Sequence, residues 1–152
     1  GFKQQTISTS SDPEIRVATS TAVDLTRDLG WFVDLPDPGE RQDVPSQLIS
    51  GTLVVPTRVP TGSACEPSGY GWLNFLDYKT GSAVQIPGAI VSQRSNSPFE
   101  GISATVDKDG NTNIIGANAD GGIESRVRVP VFTNEPGFKV KRSIWRELID
   151  SD

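Results

Sequence analysis

Glycine and proline interrupt this sequence at short intervals from end to end, fifteen and eleven times in 152 residues, and that spacing leaves no room for long helices. Between the interruptions, apolar and polar residues alternate repeatedly with period two, the pattern of a strand with one face turned inward. An all-β chain is expected, with short strands and many turns. A chain of this length buries one core and no more than one.

Phe2 to Ser8 reads as strand, and Glu14 to Thr19 repeats the pattern after Ser10-Ser11-Asp12-Pro13. Gly30-Trp31-Phe32-Val33-Asp34-Leu35-Pro36 is aromatic and β-branched, and Asp37-Pro38-Gly39 closes it. Ser50 to Val59 is mostly apolar, as expected of a central strand covered on both faces. Tyr70 to Tyr78 puts Trp72, Asn74 and Leu76 on one face and Leu73, Phe75 and Asp77 on the other. Asp109-Gly110 joins Ile102–Asp107 to Asn113–Ala117 as a hairpin. Gly122 to Phe132 is expected as a long strand, ended or placed at an edge by Pro130. Arg142 to Ile149 fits a helical stripe as well as a strand, and its β context favours strand.

Composition removes several function classes. The formal charge is −5, and the fourteen Lys and Arg residues are spread thinly, so no basic footprint exists for nucleic acid. No run of eighteen apolar residues offers a membrane span, and the chain opens in strand pattern without a charged, then apolar, leader. Histidine is absent, which removes the commonest general base, the usual triad and His-ligated metal sites from these residues.

Other candidates carry two readings each. Glu40 and Asp43 are paired acids of the kind that hydrolyse glycosides, or solvated turn residues. Asp107, Asp109, Asn111 and Asn113, followed by Asn118 and Asp120, could converge oxygens on calcium. Gly110 nevertheless falls fourth rather than sixth, the terminal glutamate of an EF-hand loop is missing, and such residues suit turns for backbone reasons alone. Cys65, the single cysteine, pairs outside these residues or stays a quiet thiol. Trp31, Trp72 and Trp145 form a binding patch or, as the preferred reading, pack between repeats. Arg126, Arg128, Lys139, Lys141 and Arg142 are the densest positive region, with a solvated strand face as the default. No catalytic, cofactor-binding or metal residue is assigned.

The segments led by Trp31 and Trp72 share a pattern: an aromatic strand, an acid near its end, then a Gly turn, 41 positions apart. Spacing of about 40 residues with several short strands per unit is that of propeller blades, which stack on neighbours to bury their faces. Two to three blades are too few to close a ring. The expectation is therefore one domain over 1–152, a C-terminal fragment holding the terminal blades of a larger propeller, with no second domain.

The same stretches carry a family resemblance. Lys3 to Thr9, Gly30 to Pro36 with Gly39-Glu40-Arg41, Gly51-Thr52-Leu53-Val54 to Pro60, Cys65 to Gly81, and Ser143 to Leu148 follow one another in order. On them the chain resembles the C-terminal part of the PilY family, type IV pilus tip-associated adhesin and biogenesis proteins with a quinoprotein-like β-propeller. The resemblance implies a non-enzymatic role at the pilus tip or bacterial surface: priming assembly with minor pilins, supporting twitching motility, and attaching to host or other surfaces. It implies export through the periplasm, and partners among minor pilins, host ligands and the remaining blades. It implies no cofactor on these residues, the family's calcium loop lying upstream in the propeller. Two alternatives stay open: a carbohydrate-active or carbohydrate-binding β-domain using surface carboxylates, and a small autonomous sandwich.

Overall fold

The computed structural model describes residues 1–62, 68–84, 91–119, 121 and 123–129, with the side chains of 123–128 outside that description. Every regular element among them is a strand, so the chain is all-β. The ten are β1 (Phe2–Thr9), β2 (Ile15–Ala18), β3 (Gly30–Asp34), β4 (Gln47–Ile49), β5 (Thr52–Pro60), β6 (Gly69–Asp77), β7 (Ser92–Ser95), β8 (Phe99–Val106), β9 (Thr112–Asn118) and β10 (Ile123–Arg128). Seven form one sheet in the order β3-β1-β2-β7-β6-β5-β4, and three form another in the order β10-β9-β8. The larger sheet curls strongly into a half barrel.

All pairings are antiparallel except β1 with β3. A parallel pair needs a crossover rather than a tight turn. Residues 10–29 supply it, and β2 lies within them. Strands β4 to β7 follow one another as an antiparallel meander.

Register assigns the two faces of the half barrel. Leu53 lies opposite Leu76, Val55 opposite Asn74 and Thr57 opposite Trp72, so these six share the inner face. Val54 opposite Phe75 and Pro56 opposite Leu73 share the outer one. The three-stranded sheet covers that outer face, where Val54, Leu73 and Phe75 cluster with Val44, Phe99, Ile114 and Val129. Two glycines admit Phe99: a Cβ at either Gly71 or Gly116 would collide with its ring. Full burial of side chains such as Val54, Phe75 and Ile114 contributes about 1.5–3 kcal/mol each. The inner face holds a second cluster, Ile7, Leu76 and Val91, with Ala18, Trp31, Val33 and Ala83 packed against it.

The strands expected from Phe2, Glu14, Gly30, Ser50 and Tyr70 all form, as does the hairpin around Asp109-Gly110. Two strands were not anticipated. Strand β7 (Ser-Gln-Arg-Ser) carries no apolar alternation, because its inner face meets polar partners, and β4 is only three residues long. The tryptophan-led segments do not head separate sheets: Trp31 lies on β3 at an end of the seven-stranded sheet and Trp72 on β6 in its interior. Of the strand expected over 122–132, residues 123–128 form β10. Cys65, Asp120, Pro130, Lys139, Lys141, Arg142, Trp145 and the strand expected over 142–149 lie outside the described residues.

Candidate functional site

The inner face of the half barrel holds a cluster of buried charge. Arg16 lies opposite Ser92, which lies opposite Asn74, so the register sends Arg16 to the inner face. Its exposed neighbour Val17 points outward, the reverse of the usual apolar-in pattern. Burying a guanidinium is costly without pairing, and the loop after β3 brings that pairing. Nη1 and Nη2 of Arg16 donate to the two carboxylate oxygens of Glu40, each at 2.9 Å. Nη2 also lies 2.6 Å from Oδ2 of Asp37. The guanidinium carbon stands 3.9 Å from the centre of the Trp72 ring, a cation–π contact on its apolar side.

Nε of Arg16, also buried, has no hydrogen-bond partner among the described residues, whereas the acids are fully engaged. Both Arg16 and Glu40 side chains are completely buried. Oε1 of Glu40 also accepts from the Thr57 hydroxyl at 2.6 Å, and Oε2 from the Asp37 backbone N–H at 3.2 Å. Four donors occupy a group with about four lone-pair sites, so Glu40 has none left for a substrate. Oδ2 of Asp37 accepts from Tyr70 Oη at 2.8 Å and Trp72 Nε1 at 3.0 Å. Tyr70 packs edge-on to Trp72, and the Arg94 guanidinium, itself paired with Glu14, covers its ring at 4.3 Å. Burial, reinforced by the hydrogen bond to Asp37 and by that carboxylate's charge, pushes the Tyr70 phenol above its ordinary value; Arg94 and Arg16 oppose this in part.

This geometry corrects one reading of the paired acids. Glu40 is not a solvated turn residue but the buried counter-ion of Arg16, while Asp43 pairs with Arg58 at 2.8 Å. The two acids serve different arginines. Arg16 itself drew no notice in the sequence, where the available signal was an arginine at the inward position of a four-residue strand.

The hairpin loop is organised by its own hydrogen bonds. Oδ1 of Asp107 accepts the backbone N–H of Asp109 at 3.0 Å and of Asn111 at 2.8 Å, and the side-chain amides of Asn111 and Asn113 donate to its carboxylate. Those bonds hold its carboxyl below the usual range, the Asn111 contacts contributing most. Among the described residues no group of three His, Cys, Asp or Glu side chains is placed to hold a metal ion, and no helix is long and apolar enough to cross a membrane.

Trp31 and Trp72 are brought into one sheet but not into one patch. Trp72 is buried under Arg16. Trp31 donates Nε1–H to the Tyr78 carbonyl at 3.0 Å and lies against Gly81, whose φ of +68° and missing Cβ admit the ring. The turn following the second tryptophan strand thus seats the first tryptophan.

Two surfaces remain open. Strand β3 bonds only to β1 among the described residues, and Phe2, Leu29 and Phe32 are exposed around it. Phe2 and Phe32 share the outer face there, where the small sheet does not reach. A cleft of about 250 Å³ opens on the inner face. No protein-family model, curated protein or solved structure matches the chain.

Proposed function

We propose that the chain is a non-enzymatic assembly and adhesion module of the PilY type, working at the pilus tip or cell surface through protein contacts. The observation that carries this reading is the open β3 edge, with Phe32 on it, Leu29 just before it and Phe2 on the paired β1 all exposed. Unpaired backbone on an end strand beside apolar side chains is a surface that another chain covers. The residues that resemble the family are largely framework: Lys3 to Thr9 and Gly30 to Asp34 make the parallel β1–β3 pair, and Glu40 neutralises Arg16. In this reading the β4–β7 meander, four antiparallel strands continued by β2 in one sheet, stands where a terminal blade would, and β3 faces the rest of the parent ring or a minor pilin. The parent is exported, and any calcium it needs is bound elsewhere in it.

The carbohydrate-active alternative gains nothing from Glu40 and Asp43, each held by an arginine. The proposal is tested by equilibrium binding of purified minor pilins from the source bacterium to the intact parent protein and to its Phe32→Asp variant. Saturable binding that falls at least tenfold in the variant supports the reading. No binding by folded wild-type protein, or equal binding by both, overturns it.

A further inference from the structure

The inner-face cleft carries an inference that is independent of the pilus reading. Its walls are Trp31, Val33 and Leu35 on one side and Leu53 and Val55 on the other, with Ile7 and Leu76 between them. Three polar residues, Gln42, Ser46 and Asn74, complete the lining, and no charged side chain belongs to it. The contrast with the opposite face is marked: Val54, Phe75 and Leu73 are fully covered, whereas Leu53, Val55, Trp31 and Val33 are only half-buried. Trp31 is pinned by its bond to the Tyr78 carbonyl and its seat on Gly81, so the wall it forms is preformed.

The polar groups select among apolar occupants. Asn74 is spent: its amide nitrogen donates to the Val55 carbonyl and its oxygen accepts from Ser92. Gln42 donates Nε2–H to Ser46 Oγ at 2.8 Å and to the Val44 carbonyl. That leaves, among the described residues, one uncommitted hydroxyl proton on Ser46 and one uncommitted amide oxygen on Gln42. An apolar slot with one donor and one acceptor in its lining, and no charge, suits an uncharged ring bearing one hydroxyl. A charged ligand would lose its hydration with nothing to replace it. Size points the same way, since a closed apolar cavity of roughly 150 Å³ takes one benzene and this one is larger, at about 250 Å³.

We propose that the half barrel binds a small uncharged aromatic alcohol, its rings between the Trp31–Val33 and Leu53–Val55 walls and its hydroxyl on Ser46 and Gln42. The test titrates the full chain with 2-naphthol and, separately, with naphthalene, following ligand fluorescence, with far-UV circular dichroism verifying the fold of each variant. Val55→Phe, which fills the slot, is expected to weaken both probes at least tenfold. Ser46→Ala is expected to weaken 2-naphthol about threefold to tenfold, the loss of one hydrogen bond, and to leave naphthalene unchanged. Phe32→Ser, on the outer face, is expected to change neither. Absence of saturable 2-naphthol binding by folded wild-type chain, indifference to Val55→Phe, or loss with Phe32→Ser would each overturn the proposal.

Discussion

Arg16 and Glu40 form a fully buried bidentate pair, two nitrogens on two oxygens at 2.9 Å each, joining β2 to the loop that follows β3. Residues 24 positions apart are thereby locked together on the inner face of the half barrel. Removing Arg16 strands Glu40 and deprives Asp37 of its cation, at a cost of roughly 3–5 kcal/mol, whereas removing the Glu40 charge leaves Arg16 still paired with Asp37 and costs less. Glu40→Gln and Arg16→Met are each expected to lower the urea midpoint accordingly. The double variant Arg16→Met with Glu40→Leu is expected to lose less than the two single losses combined, because neither Arg16 nor Glu40 then strands the other and only Asp37 loses its cation. Additive losses would show that the pair is not coupled.

Gly81→Ala and Gly110→Ala separate backbone strain from steric collision. Both glycines have positive φ, +68° and +82°, but an added Cβ at Gly81 meets the Trp31 ring, whereas none lies within 4 Å at Gly110. The left-handed backbone alone costs about 1–2 kcal/mol. Gly110→Ala is expected to lose about that much, while Gly81→Ala loses more and also shifts Trp31 fluorescence. Thermal unfolding with emission spectra checks both.

Phe99→Ala empties the joint between the two sheets. The ring packs against Gly71 on β6 and Gly116 on β9 in a buried cluster, and no neighbouring Cβ is available to close the gap. A loss of about 3–5 kcal/mol is expected, read from the urea midpoint.

Asp107 and Tyr70 act at opposite ends of the pH scale. Asp107 has its carboxyl lowered below 3.8 by its loop hydrogen bonds, so its contribution is fully present above that value and disappears as pH falls through the lower folded value. The stability advantage of wild type over Asp107→Ala is therefore expected at neutral pH and lost in strong acid. Tyr70 is raised above 10.0, so its contribution is present below pH 10 and is lost as pH rises through the raised value. Absorbance titration is expected to find a phenol ionising above pH 10 that Tyr70→Phe removes.

Most of the sheet was legible in the sequence because alternation and turn residues mark strands that bury one apolar face. Tyr70 to Tyr78 is the clearest case: the faces assigned to Trp72, Asn74 and Leu76 and to Leu73 and Phe75 match the register against β5. Alternation fails where the inward side chain is polar. Strand β7 places Ser92 against Asn74 and Arg94 over Tyr70, and β2 turns Arg16 inward and Val17 outward. Neither pattern resembles a half-buried strand, although both strands sit in the middle of the sheet. The two tryptophan-led segments do meet, Trp31 seating on Gly81 in the turn after β6, a contact that the spacing of about 40 residues did not specify. Spacing alone does not say whether two such strands head separate blades or share one sheet. The charged site was illegible for another reason: Arg16, Asp37, Glu40 and Trp72 meet only through the crossover and the loop after β3.

The proposed function makes this chain the terminal part of a larger pilus-associated protein. Intact mass spectrometry of the protein carried on pili sheared from the source bacterium tests it most directly. A parent chain far heavier than 16.3 kDa that contains these residues and copurifies with minor pilins is expected. Finding only a 16.3 kDa species there, free of pilins and with no heavier chain containing these residues, would contradict it.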